Sequence, residues 1–124
     1  MLFLEDISYQ INLIVQMGEE NGNEYVIHSL EELKFYREEF EESIALWRKG
    51  NTSQWLEQID EYKNDYPELY QSLLVERNYN WMPQLERYLK TPEVEFVVVG
   101  AMHLPGPDGI LQKMKDKGYK VEQL

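Results

Sequence analysis

Cysteine is absent from this 124-residue chain. That excludes disulfide staples and thiolate metal sites and leaves the redox compartment open. Long apolar runs are absent too. None approaches the roughly 18 to 20 residues that span a bilayer, so no membrane span is expected in this chain. The start, Met1-Leu2-Phe3-Leu4, meets Glu5 and Asp6 at once and does not read as a signal peptide. An extracytoplasmic place for a longer parent stays open. Positive charge is scarce: 12 Lys and Arg stand against 23 Asp and Glu, a net charge of −11. Such a chain repels phosphate backbones, and nucleic acid is not expected as a partner. No H-E-x-x-H, phosphate loop or nucleophile elbow occurs, and there are only two histidines, His28 and His103.

What is present is globular in composition. Hydrophobic residues make up 43% and aromatics 13%, enough for one core, so residues 1–124 are read as a single domain. Ile7, Ile11, Ile14 and Val15 recur at helical spacing and predict a helix over about 5–17. Gly18-Glu19-Glu20-Asn21-Gly22-Asn23 reads as a turn-rich linker. Ser29 with Glu32 three residues later forms a candidate capping box. The helix expected behind it carries Leu33, Tyr36, Phe40, Ile44 and Trp47 on one stripe. The glutamates between 31 and 42 are its solvated face. Gly50-Asn51 ends it, and Thr52 is placed to cap the next helix, with Trp55, Ile59, Tyr62 and Tyr66 inward. Pro67 suits the first turn of a further helix. Asn80 is placed to cap another, with Pro83 in its first turn and Trp81, Leu85, Tyr88 and Leu89 inward.

At Thr91-Pro92 the pattern changes. Residues 94–99 are rich in β-branched side chains, and 96–99 are continuously apolar, as in a buried strand. Asp108 is placed to cap a helix over 109–117, Gly118 suits a left-handed stop, and residues 119–124 alternate like a half-buried strand. The fold class expected is therefore α/β: a helical region over 5–90, then a β-α-β unit over 91–124. Two strands do not make a stable sheet. The chain is thus expected to be the C-terminal part of a larger fold, or to pair with a second copy as a homodimer.

The strand expected at 94–99 runs into Gly100-Ala101-Met102-His103-Leu104-Pro105-Gly106, a G-x-x-H loop. Loops at strand ends are common sites of chemistry, and neutral imidazole is both an acid/base group and the commonest metal ligand. His103 is the leading candidate, against the plainer reading of a loop histidine bonded to a carbonyl. Gly100 would serve a positive φ, and Gly106 and Gly109 a close backbone approach; each also fits an ordinary tight loop. Arg77 would hold a carboxylate or phosphate, and Asn78 would orient water or substrate. Both equally suit a helix end that binds backbone carbonyls. Glu76 lines the site or, the preferred reading, pairs with Arg87. His28 is read as structural. One histidine falls short of the three protein ligands of a zinc site.

Leu73-Leu74-Val75-Glu76-Arg77-Asn78-Tyr79-Asn80-Trp81 resembles the L-x-x-E-R-N-x-x-W segment of the TraB/GumN family, which includes the Tiki metalloproteases. Residues 97–106 resemble its second G-x-x-H segment. Gly109, Leu111, Gly118-Tyr119 and Val121 match its ending, and Trp47-Arg48-Lys49-Gly50-Asn51 its W-x-x-G-[DN]. The resemblance covers roughly residues 8–124. It implies a peptidase-like hydrolase with a divalent metal, two G-x-x-H motifs and a glutamate. Only Gly100 and His103 of the second motif occur here. The resemblance thus implies that His103 is one metal ligand or catalytic group, with Glu76, Arg77 and Asn78 nearby. It also implies that the site is completed by an N-terminal half outside this chain, and that the chain alone is inactive. Through the pheromone-shutdown members it implies a small peptide as substrate. The alternative is a non-catalytic peptide- or protein-binding module that self-associates.

Overall fold

The computed structural model describes residues 2–20 and 22–124. For residues 20, 24, 25, 28, 31, 32 and 34–39 it describes the backbone and not the side chain. The chain divides into two compact units, Met1–Gln54 and Trp55–Leu124.

The first unit holds two helices. α1 (Ile7–Glu20) begins behind Asp6, whose carboxylate accepts the Ser8 amide at 2.7 Å. That bond satisfies one of the amides left over at a helix start, and it holds the Asp6 carboxyl below its usual range. α2 (Gly22–Arg48) starts seven residues before Ser29, so the expected capping box is not a helix start. The expected linker is helical up to Glu20 and again from Gly22; Asn21 lies outside the described residues. Ser29 stands inside a helix instead; the good helix formers Leu30 to Leu33 follow it, but the helix also runs through the mostly weaker residues before it. The Glu32 side chain lies outside the described residues, as do those of Tyr36 and His28. Of the acidic run, Glu41 and Glu42 are exposed as expected. Met17 is buried, while Ile11, Ile14, Leu33, Phe40 and Trp47 are each more than half exposed. The apolar stripes are present at helical spacing, but the two helices of this unit do not bury them. α2 ends before Gly50, whose φ of 66° lies in the left-handed region that favours glycine.

The second unit contains the core around the G-x-x-H loop. α3 (Ser53–Asp65) opens with the Asn51 carboxamide accepting the Ser53 amide at 2.9 Å, and buries Trp55 and Ile59. α4 (Pro67–Tyr70) has proline in its first turn, as expected. It runs without a break into a π-turn (Gln71–Val75) and then α5 (Glu76–Tyr88). The two helices expected here are therefore one rod, and Asn80 lies inside it. Pro83 also sits inside α5. A proline there leaves the carbonyl four residues back without its helical donor. That residue is Tyr79, which is 72% exposed, so water can satisfy it.

The π-turn has a consequence for the face of the rod. Tyr70, Leu74, Asn78 and Met82 are all buried at intervals of four. In an α-helix of 3.6 residues per turn such a row drifts around the axis. The wider π-turn unwinds the rod and counters that drift, which keeps Asn78 on the face of Tyr70 and Leu74. The Ser72 hydroxyl donates to the Glu68 carbonyl at 2.9 Å, and the Arg77 guanidinium to the Leu73 carbonyl at 3.3 Å. Ile59, Tyr70 and Leu74 form a core cluster, with Tyr62, Leu73, Val75 and Met102 packed on it.

The expected β-α-β unit is not formed: no strand occurs among the described residues, and the fold is helical. Residues 94–99 are irregular, with Val94 99%, Phe96 92% and Val98 75% exposed. β-branched side chains favour a strand only where a sheet packs against them, and no described segment pairs with this one. Residues 119–124 are irregular for the same reason. Between these segments lie a 3-10 turn (Ala101–His103) and α6 (Ile110–Asp116). α6 ends at Gly118, whose φ of 87° makes it the expected left-handed stop. Lys117 forms an ion pair with Glu86 of α5. Among the described residues no helix is long and apolar enough to cross a membrane.

Candidate functional site

The loop between residue 99 and α6 is folded onto itself by backbone bonds. His103 donates to Gly100 at 3.0 Å, Leu104 to Ala101 at 3.1 Å, Gly109 to Gly106 at 3.2 Å, and Leu111 back to Leu104 at 3.2 Å. Gly106 has φ +85° and faces Ile59, so it serves the left-handed turn. Gly109 serves close approach: a Cβ there would lie 2.2 Å from the Pro105 carbonyl oxygen and 2.4 Å from that of Leu104. Gly100 has φ −60° and an extended backbone, and a Cβ there would meet only the His103 ring at 3.5 Å. The positive φ expected at Gly100 is therefore absent; it is Gly106 that takes the left-handed turn.

α5 holds this loop through Asn78, which is 1% exposed. Its carboxamide nitrogen donates to the Asp108 carbonyl at 2.9 Å and to the His103 carbonyl at 3.4 Å. Its carboxamide oxygen lies 2.7 Å from His103 Nδ1. One side chain thus ties both ends of the loop to the rod. His103 is itself buried, at 6% exposure, with its ring tilted against Trp81 at 4.5 Å between centroids. The Arg77 guanidinium lies over the Trp81 ring, 5.0 Å from its centre, at a distance suited to cation–π attraction.

A second tie runs from Tyr70. Its hydroxyl donates to Asp108 Oδ2 at 2.7 Å, and Lys113 Nζ lies 3.9 Å from Oδ1. The cap of α6 expected at Asp108 is not formed: Gly109 occupies the cap position without a side-chain bond. Burial, and then the neighbouring Asp108 carboxylate, push the Tyr70 phenol above its ordinary range. In the unfolded chain the phenol ionises near pH ~10, while the folded chain keeps its proton. Above that pH the unfolded state binds fewer protons, so stability falls. Below it the contribution is complete. Tyr70→Phe should cost about 1 kcal/mol at pH 8, and its gap to wild type should close above about pH 10. Urea midpoints of both proteins across this range check it.

The expected residues thus divide. His103, Asn78, Arg77, Gly106 and Gly109 come together or shape the loop. Glu76 is exposed, and neither the expected pair with Arg87 nor a contact with the loop is among its described interactions. Tyr70, Trp81 and Asp108 were missed as site residues. Tyr70 stands eight residues before Asn78, in a row that the π-turn straightens. Trp81 lies three after Asn78, one helical turn away.

A divalent metal is implied by the resemblance, and the donor set tests it. Among the described residues no group of three His, Asp or Glu side chains stands close enough to hold an ion. One side chain bonded to the His103 ring is the Asn78 carboxamide, a poor partner for a zinc site. The residues described do not by themselves fit a metal.

No curated protein and no solved structure matches the chain. The sequence profile of the TraB/PrgY/gumN family matches residues 1–123. That is nearly the whole chain, and it includes the E-R-N segment on α5 and the G-x-x-H loop it clamps. The chain belongs to the TraB/PrgY/gumN family.

Proposed function

We propose that the loop around His103 is the working part of a peptidase-like hydrolytic site. His103 gives or takes a proton, or donates to a metal, and Arg77 binds a carboxylate of a peptide substrate. Residues outside this chain complete the site, and any divalent ion would need donors from them. The observation that supports this reading most is a buried imidazole fixed on one side by Asn78 and on another by Trp81. Precise holding of an acid/base group is what hydrolysis asks of a scaffold. The test is hydrolysis of a quenched-fluorescent peptide mixture by the protein that carries this chain in full. His103→Ala should lower the rate by at least ~100-fold, the usual worth of a general acid or base. Unchanged hydrolysis, or none by wild type, would end the reading.

A second reading is favoured by the exposure of Val94, Phe96 and Val98. In it the chain is a non-catalytic binding module that covers this apolar segment with a second copy of itself. Sedimentation at micromolar concentration should then give a dimer, and Phe96→Glu a monomer. A monomeric wild type would refute it.

A further inference from the structure

The Asn78–His103 contact carries more than an anchor. The Asn78 carboxamide has one end that only donates and one that only accepts. Its nitrogen end faces two carbonyl oxygens, those of Asp108 and His103. Carbonyl oxygens accept and cannot donate, so turning the amide over would set oxygen against oxygen at both contacts. The amide orientation is therefore fixed by chemistry. The end left for the imidazole, 2.7 Å from Nδ1, is the oxygen, and an oxygen there requires a proton on Nδ1.

We infer that Asn78 is a positioning residue that locks neutral His103 as the Nδ1–H tautomer, so that Nε2 is the nitrogen through which His103 accepts a proton. Free imidazole side chains have no such lock; here the hydrogen bond to one nitrogen decides the state of the other. The buried backbone around Asn78 makes the lock stiff: the same carboxamide cannot release Nδ1 without breaking its bonds to the loop carbonyls. The use of Nε2 in catalysis rests on the functional reading above, whereas the tautomer does not.

The test uses the full chain labelled with 15N, without added metal and with a chelator present, at pH ~8, above the ordinary imidazole range. Two-bond proton–nitrogen correlations distinguish a protonated ring nitrogen from a bare one. The His28→Gln variant assigns the remaining ring to His103. The expected spectrum has a protonated Nδ1, a bare Nε2, and a cross-relaxation contact from the Nδ1 proton to the Asn78 carboxamide. A ring protonated at Nε2 alone, or at both nitrogens, would overturn the inference. So would an Nδ1 proton without the contact to Asn78. The wild-type spectrum decides, so no variant of Asn78 has to fold. The expected tautomer together with an active His103→Ala would refute the hydrolytic reading alone. The other tautomer together with an inactive His103→Ala would refute the lock alone.

Discussion

Asn78→Ala should bring the second unit close to unfolding. Asn78 is 1% exposed, and its loss leaves three groups without their partner: the carbonyls of Asp108 and His103 and the Nδ1–H of His103. Each buried group left unpaired costs about 1–3 kcal/mol. The sum, about 3–9 kcal/mol, is a large part of the roughly 5–15 kcal/mol that holds a domain together. The comparison residue is Asn80, two positions on in the same helix and exposed. Asn80→Ala removes no buried bond and installs a better helix former, so its effect should stay within about 0.5 kcal/mol. Urea unfolding of both variants checks the contrast. Equal midpoints would show that Asn78 does not clamp the loop.

Gly109→Ala should be the costliest glycine substitution. The new methyl would stand 2.2 Å and 2.4 Å from backbone oxygens, which cannot turn aside as the tip of a flexible side chain would. The backbone must shift, and shifting it disturbs the Gly109-to-Gly106 and Leu111-to-Leu104 bonds. We expect a loss of about 3 kcal/mol, the upper end for overpacking. Gly18→Ala makes the opposite case. It lies within α1, with nothing inside 4 Å of the new Cβ, and should gain about 0.5–1 kcal/mol in helix stability. Thermal unfolding of the two variants should therefore move in opposite directions.

The helices were legible where local chemistry decides them. Ile11 and Ile14 mark α1, Trp55 and Ile59 mark the buried face of α3, and Pro67 and Gly118 mark a start and a stop. The boundaries failed where local signals compete. Ser29 and Asn80 look like caps, but each lies inside a longer helix, because an N-cap residue starts nothing if the chain before it is already helical. The strands at 94–99 and 119–124 failed for a different reason. A strand depends on a neighbour, and β-branched composition alone does not supply one. His103 and Asn78 were legible as candidates from the E-R-N segment and the G-x-x-H loop. Their contact was not, because it joins residues 25 apart in sequence through a loop whose path no local signal sets. Tyr70 was missed because its partner Asp108 lies 38 residues on, a contact that helical periodicity does not announce.

The central claim is that Asn78 on α5 and His103 in the loop form one unit. A double-mutant cycle measures it directly: urea unfolding of wild type, Asn78→Ala, His103→Ala and the double variant. Residues in one buried network couple by about 0.5–3 kcal/mol, whereas independent sites add. Once Asn78 is gone, removing His103 should cost less than it does in wild type, with a coupling of at least about 1 kcal/mol. Strictly additive losses would contradict the account.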